Sequence, residues 1–314
     1  MTVWNENNPF TFVWLCDGHK ADDQPADATW TVFGTDEYRR QSTFDARVEA
    51  ALTTANAESA SFFIQAGDWN DLNNTDPAQV IIDAEAVVAG GAYAGPYLTV
   101  IGNHERVFVG SWAADYFANL LGWASGEASY SAWTDNDDDN DAVAGKAYSV
   151  DVDGFHVIVL YATTSTHTFT AGQKTWLTTD LAANSLPVIV FTHAWISDVR
   201  PAPSNADYAN IPNGSDVRTI LEADSNVQAV FQAHFHGSHA AAVINDIWYL
   251  HGWGSVNAPG ATDNAYYLVK IIPDAYYGTS RNRANVKLTR YGTNSRFGIG
   301  KANRDYERFL IGSA

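Results

Sequence analysis

Cysteine is almost absent from this chain of 314 residues, which contains only Cys16. One thiol cannot form an intramolecular disulfide, so a disulfide-stabilised scaffold is excluded. Cys16 ends the apolar run that begins at Phe12, and we expect a buried core residue rather than a nucleophile. Long apolar runs are missing as well. Because a helix needs roughly 18 or more apolar residues to cross a bilayer, we expect no membrane-spanning segment.

Positive charge is scarce. Lys and Arg together number 18 against 36 Asp and Glu, which gives a formal net charge of −18 with neutral His. Proteins that bind nucleic acid neutralise its phosphates with Lys and Arg, so we expect no nucleic-acid partner. We interpret the acidity as a solubility feature, because net charge acts on solubility and association rather than on the fold.

A secretory leader is not recognisable at the N-terminus, where a basic segment followed by an apolar one would be expected. The first apolar run leads instead into a polar cluster, which is typical of a strand. We therefore expect a cytoplasmic protein. Secretion or periplasmic export after removal of a leader is the alternative.

Five short clusters of Asp, Asn and His are present, and each directly follows an apolar run. The clusters are Asp17-Gly18-His19, Gly67-Asp68-Trp69-Asn70-Asp71, Gly102-Asn103-His104-Glu105, Thr192-His193 and Ala233-His234-Phe235-His236. Open α/β sheets bind ligands at the carboxyl ends of their strands, so we expect these side chains to meet at one rim. Carboxylate, amide and imidazole groups bind divalent metals, and the set predicts a hydrolytic site with two metals.

The alternation of strand and helix patterns predicts a layered α/β architecture. Strands are predicted near residues 10–16, 61–66, 97–101, 146–152, 155–161, 187–192, 227–232, 247–251, 265–272 and 285–291. Helices are predicted near residues 43–58, 77–90, 110–121, 171–183 and 215–223. Ser215 is expected to be the N-cap of the last helix. We expect residues 1–314 to form one domain, with the C-terminal strands of about 245–291 completing its second sheet.

The ordered motifs D-x-H, G-D-x-x-D, G-N-H-E, a lone His and x-H-x-H resemble those of the calcineurin-like metallophosphoesterase superfamily, from Asp17 to His236. The resemblance implies a four-layer α/β/β/α sandwich of two mixed sheets, with a dinuclear metal site at the strand ends. The implied ligands are Asp17, His19 and His236 for one metal and Asn103, His193 and His234 for the other. Asp68 would bridge both metals, and His104 would be a catalytic residue that binds neither.

The chemistry of these residues supports the same interpretation. A carboxylate such as Asp68 can span two metals roughly 3.5–4 Å apart. Two cations lower the pKa of a bridging water, so hydroxide would attack phosphorus while His104 protonates the leaving oxygen. Glu105 or another carboxylate is expected to hold the second nitrogen of His104. We therefore predict a phosphoric ester hydrolase with two divalent or trivalent ions (Mn, Fe or Zn) and a small phosphate-ester substrate.

The second motif bears on the substrate class. The fourth residue after Gly67 is Asp71 and not Tyr, so the tyrosinate ligand of purple acid phosphatases has no counterpart there. G-D-x-x-D resembles the bacterial cyclic-nucleotide phosphodiesterase branch, and we favour phosphodiesterase over phosphomonoesterase activity. A phosphomonoesterase and a non-catalytic metal-binding scaffold with the same fold remain the alternatives.

Further expectations concern residues around these motifs. The superfamily usually has Gly before the final His pair, whereas this chain has Ala233, which indicates an ordinary φ or local strain there.

The loops at 20–41, 162–171 and 195–214 are expected to determine specificity. Candidate substrate contacts are Arg39, Arg40, Arg200, Trp195 and Tyr208. The histidines interpreted as structural are His156, His167, His239 and His251.

Overall fold

The computed structural model describes residues 8–19, 41–69, 77–107, 128–134, 144–162, 168–196, 213–234, 240–252, 254, 266–273, 284–291 and 304–305. Within these ranges the chain forms two mixed β-sheets and four α-helices. The helices are α1 (Gln41–Ala57), α2 (Pro77–Gly90), α3 (Ala171–Ala183) and α4 (Gly214–Ala223). The helix predicted near 110–121 lies outside the described residues. Among the described helices, none has the length and apolar character that crossing a membrane requires.

The first sheet has six strands in the order β13-β12-β11-β1-β2-β3. They are β1 (Phe10–Leu15), β2 (Phe62–Ala66), β3 (Tyr97–Val100), β11 (Tyr266–Pro273), β12 (Ala284–Tyr291) and β13 (Arg304–Asp305). Strands β1, β2 and β3 are parallel, and β11 lies antiparallel to β1. The carboxyl ends of the three parallel strands therefore meet at one rim, where the first three polar clusters begin.

The second sheet has seven strands in the order β4-β5-β6-β7-β8-β10-β9. They are β4 (Ser131–Thr134), β5 (Ala144–Val152), β6 (Phe155–Leu160), β7 (Val188–Thr192), β8 (Val227–Gln232), β9 (Ala240–Ile244) and β10 (Ile247–His251). Strands β6, β7, β8 and β10 are parallel. The last two polar clusters follow β7 and β8.

Three hydrophobic cores hold these layers together. In the central core the two sheets pack face to face, with the ring centroid of Phe12 5.5 Å from that of Phe191 and 5.2 Å from that of Phe231. A second core joins α1 and α2 to the outer face of the first sheet. A third joins α3 and α4 to the outer face of the second sheet. The described residues are thus an α/β fold of two mixed sheets with helices, as the sequence predicts.

A hydroxyl group also links the two sheets. The Tyr148 hydroxyl on β5 accepts a hydrogen bond from the backbone N–H of Thr99 (3.1 Å) and donates one to its carbonyl oxygen (2.9 Å). Thr99 lies in β3, which is an edge strand of the first sheet in the described part of the chain. The Thr99 hydroxyl in turn accepts a hydrogen bond from Trp69 Nε1 (2.7 Å). Tyr148 is thereby connected to the residue that follows Asp68.

We expected the C-terminal strands of about residues 245–291 to complete the second sheet, but the structure divides them between the two sheets. Strand β10 belongs to the second sheet, whereas β11 and β12 extend the first. The physical reason is that β11 is buried on both faces. Tyr267, Val269 and Ile271 face the central core, and Tyr266 and Leu268 face the core with α1. Such a strand fits beside β1 in the interior of the first sheet.

The start of α4 also differs from the prediction. The helix begins at Gly214, so Ser215 lies in its first turn and is not the N-cap. The N-cap is Asn213, whose side chain bonds the backbone N–H (3.0 Å) and carbonyl (2.7 Å) of Phe169 instead of the helix. A Cβ on Gly214 would lie 2.9 Å from the Cα of Ile196, so this close approach favours glycine at position 214.

Candidate metal centre

The five polar clusters follow β1, β2, β3, β7 and β8, the strand ends at which the sequence places them. Seven of the eight predicted site residues are described by the structure. His236, the eighth, lies outside the described residues, as do Asn70 and Asp71. The role of His236 as a ligand therefore stays a prediction.

Asp68 lies at the centre of the site. Its side chain is 1% exposed, and Oδ2 lies 3.4 Å from Nε2 of His19, 3.3 Å from Nε2 of His193 and 3.8 Å from Nε2 of His104. The other oxygen, Oδ1, accepts a hydrogen bond from the backbone N–H of His104 at 2.9 Å. One carboxylate oxygen thus faces imidazoles from three different loops.

A second group of ligand atoms surrounds His193. Its Nδ1 lies 2.8 Å from the carbonyl oxygen of Ala66. If Nδ1 donates in this contact, the lone pair of the neutral ring is on Nε2. Nε2 is 3.0 Å from Asn103 Oδ1 and 3.1 Å from His234 Nδ1. The structure thus brings together the three side chains that the resemblance assigns to one metal.

The first cluster is tied to the others through its backbone and side chains. His19 is fully buried, and its backbone N–H donates to the carbonyl oxygen of Asp68 at 2.7 Å. Its ring lies edge-on to that of His104, with the centroids 4.3 Å apart. Asp17 Oδ1 accepts a hydrogen bond from the backbone N–H of His234 at 3.0 Å. Loops from both sheets are therefore joined at the site.

The donor atoms fit metal ions. Two sets of three ligand atoms each lie within 4.8 Å of one another: His19, Asp68 and His104, and Asp68, His193 and His234. Asp68 belongs to both sets, as a bridging carboxylate would. Imidazole nitrogen and carboxylate oxygen together suit divalent transition metals. The family resemblance implies that His104 binds no metal. In the structure, however, His104 lies close enough to His19 and Asp68 to belong to the first set.

The electrostatics of the site favour positive charge beside Asp68. Burial alone would raise the pKa of Asp68, but the neighbouring His193, His104 and His19 hold the pKa well below its usual range. Burial would lower the pKa of His193, but the Asp68 carboxylate raises the pKa to about 10. Metals compete with protons for such groups. The Asp68 carboxylate thus favours a positive charge at His193, which either a proton or a metal ion can supply.

Four of the predicted site residues have a left-handed backbone. The φ angles are 47° at Asp17, 45° at His19, 55° at Asp68 and 75° at His234. Positive φ is uncommon outside glycine, and residues in this conformation persist where the surrounding structure holds them, often at functional sites. Ala233 is not among the described residues with positive φ. The backbone of Ala233 is therefore ordinary, the first of the two alternatives that the sequence leaves open, and the left-handed conformation falls on the next residue, His234.

Sequence reasoning missed the contacts of Glu105 and Trp195. Glu105 Oε2 accepts hydrogen bonds from the backbone N–H groups of Asp68 (2.9 Å) and Gly102 (2.6 Å). Trp195, expected to contact substrate, is 1% exposed and donates from Nε1 to the carbonyl oxygen of Ala233 at 2.6 Å. Its burial makes it a packing residue. The candidate contacts Arg39, Arg40, Arg200 and Tyr208 lie outside the described residues.

Of the four histidines that were interpreted as structural, two lie among the described residues. His156 is buried between Asp151 and Asp180, which lie 2.7 Å and 2.8 Å from its ring nitrogens. His251 is buried, with Nε2 2.9 Å from the carbonyl oxygen of Ala233. Both have structural contacts, as predicted. His167 and His239 lie outside the described residues.

Two solved structures with similar folds are phosphatases. A dimetal phosphatase from Danio rerio is 14% identical, with a TM-score of 0.62, and the match covers 96% of this chain and 98% of that one. A purple acid phosphatase from yellow lupin seeds is 15% identical, with a TM-score of 0.52, and the match covers 94% of this chain but 54% of that one. At these identities the likeness shows the fold. No curated protein sequence matches this chain significantly.

The sequence itself matches a protein family. The model of the calcineurin-like phosphoesterase family matches residues 36–238, which is more than half of the chain. This span contains all eight predicted site residues except Asp17 and His19, because it begins after the first cluster. The chain therefore belongs to the calcineurin-like phosphoesterase family and is a metal-dependent phosphoric ester hydrolase.

Proposed function

We propose that the chain is a dinuclear metallophosphoesterase that hydrolyses small phosphate esters and prefers diesters to monoesters. The observation that carries this proposal is the position of Asp68. Its Oδ2 lies within 3.8 Å of imidazole nitrogens from three loops, and it belongs to both sets of ligand atoms. This arrangement fits a carboxylate that bridges two metals in a hydrolase.

The proposed ligands share His19, Asp68, His193 and His234 with the two sets, and the family resemblance supplies the others. Asp17, His19 and His236 would hold one ion, Asn103, His193 and His234 would hold the other, and Asp68 would bind both. The mixture of oxygen and nitrogen donors suits Mn, Fe or Zn. Two such ions, when bound, would lower the pKa of water and polarise the phosphoryl group.

His104 is proposed to donate a proton to the leaving oxygen. Its side chain is 16% exposed, whereas those of His19 and His193 are 0% and 4% exposed. Its ring is therefore the most accessible of the three to a bound ester. The hydrogen bond from its backbone N–H to Asp68 Oδ1 holds it beside the bridging carboxylate. Histidine at such a position can act as a general acid near neutral pH.

The preference for diesters is supported by charge and by the second motif. A phosphomonoester carries about −1.5 to −2 at neutral pH, whereas a diester carries a single negative charge. A protein with a net charge of −18 repels the more highly charged ester more strongly. The same argument disfavours nucleic acid, whose many phosphates would meet repulsion outside the site. We therefore propose that the substrate is a small diester with a single phosphate group.

Bis-p-nitrophenyl phosphate and p-nitrophenyl phosphate provide a direct test, because they share a leaving group and differ in charge. We would strip the enzyme with a chelator, restore Mn²⁺, Zn²⁺ or Fe²⁺ singly, and measure bound metal and kcat/KM for both esters. We expect two metals per chain, no turnover without metal, and the higher kcat/KM for the diester. A higher value for the monoester would establish the phosphomonoesterase alternative. Full turnover without metal would contradict the dinuclear proposal.

A further inference from the structure

Glu105 is not among the proposed metal ligands. It lies in the short 3-10 helix His104–Val107, directly after the two predicted functional residues of its cluster. Its side chain is 3% exposed. A buried carboxylate is unfavourable unless it is hydrogen-bonded or paired, so its partners indicate what it does.

A single oxygen of Glu105 joins two loops. Oε2 accepts the backbone N–H of Asp68, in the loop after β2, and the backbone N–H of Gly102, in the loop after β3. Hydrogen bonds to an ionised acceptor are stronger than those between neutral groups. A third bond, from the His104 N–H to Asp68 Oδ1, closes the connection from the other side.

The two loops that Glu105 joins approach each other unusually closely. A Cβ on Gly102 would overlap both the backbone nitrogen and Oδ1 of Asp68. Asp68 also has a φ of 55°, a conformation that a non-glycine residue keeps only where its surroundings enforce it. The bond from Glu105 acts on the amide of this strained residue itself.

We propose that Glu105 is a positioning residue for the bridging carboxylate. By holding the amides of Asp68 and Gly102, it orients Asp68 so that Oδ1 meets the His104 amide and Oδ2 faces the imidazoles. Glu105 acts through Asp68 and binds no metal itself. The inference rests on the proposed function, because that function makes Asp68 the bridge.

Two conservative variants separate hydrogen bonding from charge. Glu105→Gln keeps an oxygen acceptor of the same reach but removes the charge. Glu105→Asp keeps the charge but is one methylene too short to reach both amides. Mn²⁺ alone serves as the probe, with affinity measured by calorimetry. The exchange-coupled electron paramagnetic resonance signal of a bridged Mn²⁺ pair reports the geometry of the bridge.

We expect Glu105→Asp to weaken Mn²⁺ binding by about 10–100-fold, the usual effect of losing a group that orients a ligand, and to lose the coupled signal. Glu105→Gln should stay within about tenfold of the wild type and keep the signal. The reverse order would show that charge matters rather than position and would overturn the inference. Wild-type affinity and coupling in both variants would also overturn it.

Asp180→Asn is the matched control. The Asp180 carboxylate accepts a hydrogen bond from Ser149 Oγ at 2.9 Å and lies 2.8 Å from His156 Nε2, at the opposite end of β6 from the site. Asp180→Asn should lower the melting temperature and leave Mn²⁺ binding unchanged. If the wild type itself bound no coupled Mn²⁺ pair, the proposed function would fail instead of the positioning role.

Discussion

Asp68 has two carboxylate oxygens with different neighbours, and this difference defines its role. Oδ1 is used by the backbone N–H of His104, whereas Oδ2 faces the ring nitrogens of His19, His193 and His104. The first contact fixes the orientation of the carboxylate, and the second collects positive charge. If Asp68 is the proposed bridge, its orientation and its metal binding would thus depend on separate atoms of one side chain.

Replacing Asp68 by Asn should therefore separate the two contacts. Asp68→Asn keeps an oxygen for the His104 amide but removes the charge and the second oxygen. We expect loss of at least one of the two metals and a fall in turnover of several orders of magnitude, with the fold retained. Metal analysis and phosphodiester kinetics would measure both. A variant with two metals and near-normal rates would show that Asp68 is not the bridge.

His104→Ala tests whether His104 acts on substrate or on metal. As a general acid it should contribute about 10²–10⁴-fold to the rate. The loss should be large for alkyl leaving groups, which need a proton, and smaller for nitrophenolate, which does not. Kinetics with a series of diesters of differing leaving-group pKa would measure it.

Metal content distinguishes the other possible roles of His104. Both ions should remain in His104→Ala, although His104 lies within ligand distance of His19 and Asp68. Loss of one ion would make His104 a ligand. Equal rate losses across the leaving-group series would instead show that it orients the phosphate.

Among the elements, the strands that carry the site were the most predictable. Strand β1 and strand β7 coincide with apolar runs that stop at polar clusters, and a buried parallel strand has this pattern. Strands β4, β9 and β13 were not predicted. They lie at sheet edges, and β13 has only two residues, so packing against a core imposes little pattern on their sequences.

The conformations of the loops were less predictable than their positions. Positive φ is usually signalled by glycine, but here it falls on Asp17, His19, Asp68 and His234. The close contact of Gly102 with Asp68 and the bonds from Glu105 form between loops separated in sequence. The sequence therefore indicates which side chains meet, while tertiary contacts determine how the backbone presents them.

Gly102→Ala tests the close approach of the loops. The added Cβ would collide with Asp68, so the loop after β3 must move away from the loop after β2. We expect weaker metal binding and a lower kcat. Gly90→Ala, at the end of α2 where a Cβ meets no atom within 4 Å, is the control and should change neither quantity. Unaltered Mn²⁺ affinity in Gly102→Ala would show that the contact is dispensable.

In the molecule as a whole, the site depends on how the two sheets pack. Three proposed ligand clusters follow strands of the first sheet and two follow strands of the second. The central aromatic core between the sheets therefore sets the distances between the clusters. That residues 1–314 form one domain stays a prediction, supported by the pairing of β11 with β1.

Stability should depend on pH through His156, which lies far from the site. Burial lowers its pKa, but hydrogen bonds and charge from Asp180 and Asp151 outweigh burial and raise the pKa above its ordinary value. The folded state thus binds this proton more tightly than the unfolded state does. The stabilisation is complete below about pH 6.5 and is lost as pH rises through the folded pKa.

Urea unfolding of protein from which a chelator has removed the metals, between about pH 5.5 and 9, would measure this dependence. The wild type should lose stability toward high pH, and His156→Gln should lose less over the same interval. Parallel pH profiles for the two proteins would contradict the assignment to His156. Asn184, whose Nδ2 lies 3.2 Å from Asp151 Oδ1 and 2.8 Å from His156 Nδ1, is uncharged and should not titrate in this range.

The net charge of −18 predicts weak association with polyanions. We expect no binding of single- or double-stranded DNA at moderate salt, as measured by fluorescence anisotropy, while small diesters are hydrolysed. Binding that is tight and falls steeply with salt would show a basic surface and would contradict the proposal of a small substrate.

The Tyr148 hydroxyl has a consequence for self-association. It bonds the backbone N–H and carbonyl groups of Thr99 on β3, which is an edge strand of the first sheet among the described residues. An unpaired edge strand is a template on which another chain can add a strand and begin a fibril. A growing fibril would have to displace a buried phenol from two hydrogen bonds before its first residue could pair there. Tyr148 of the second sheet thus opposes strand addition at Thr99 on this edge of the first sheet.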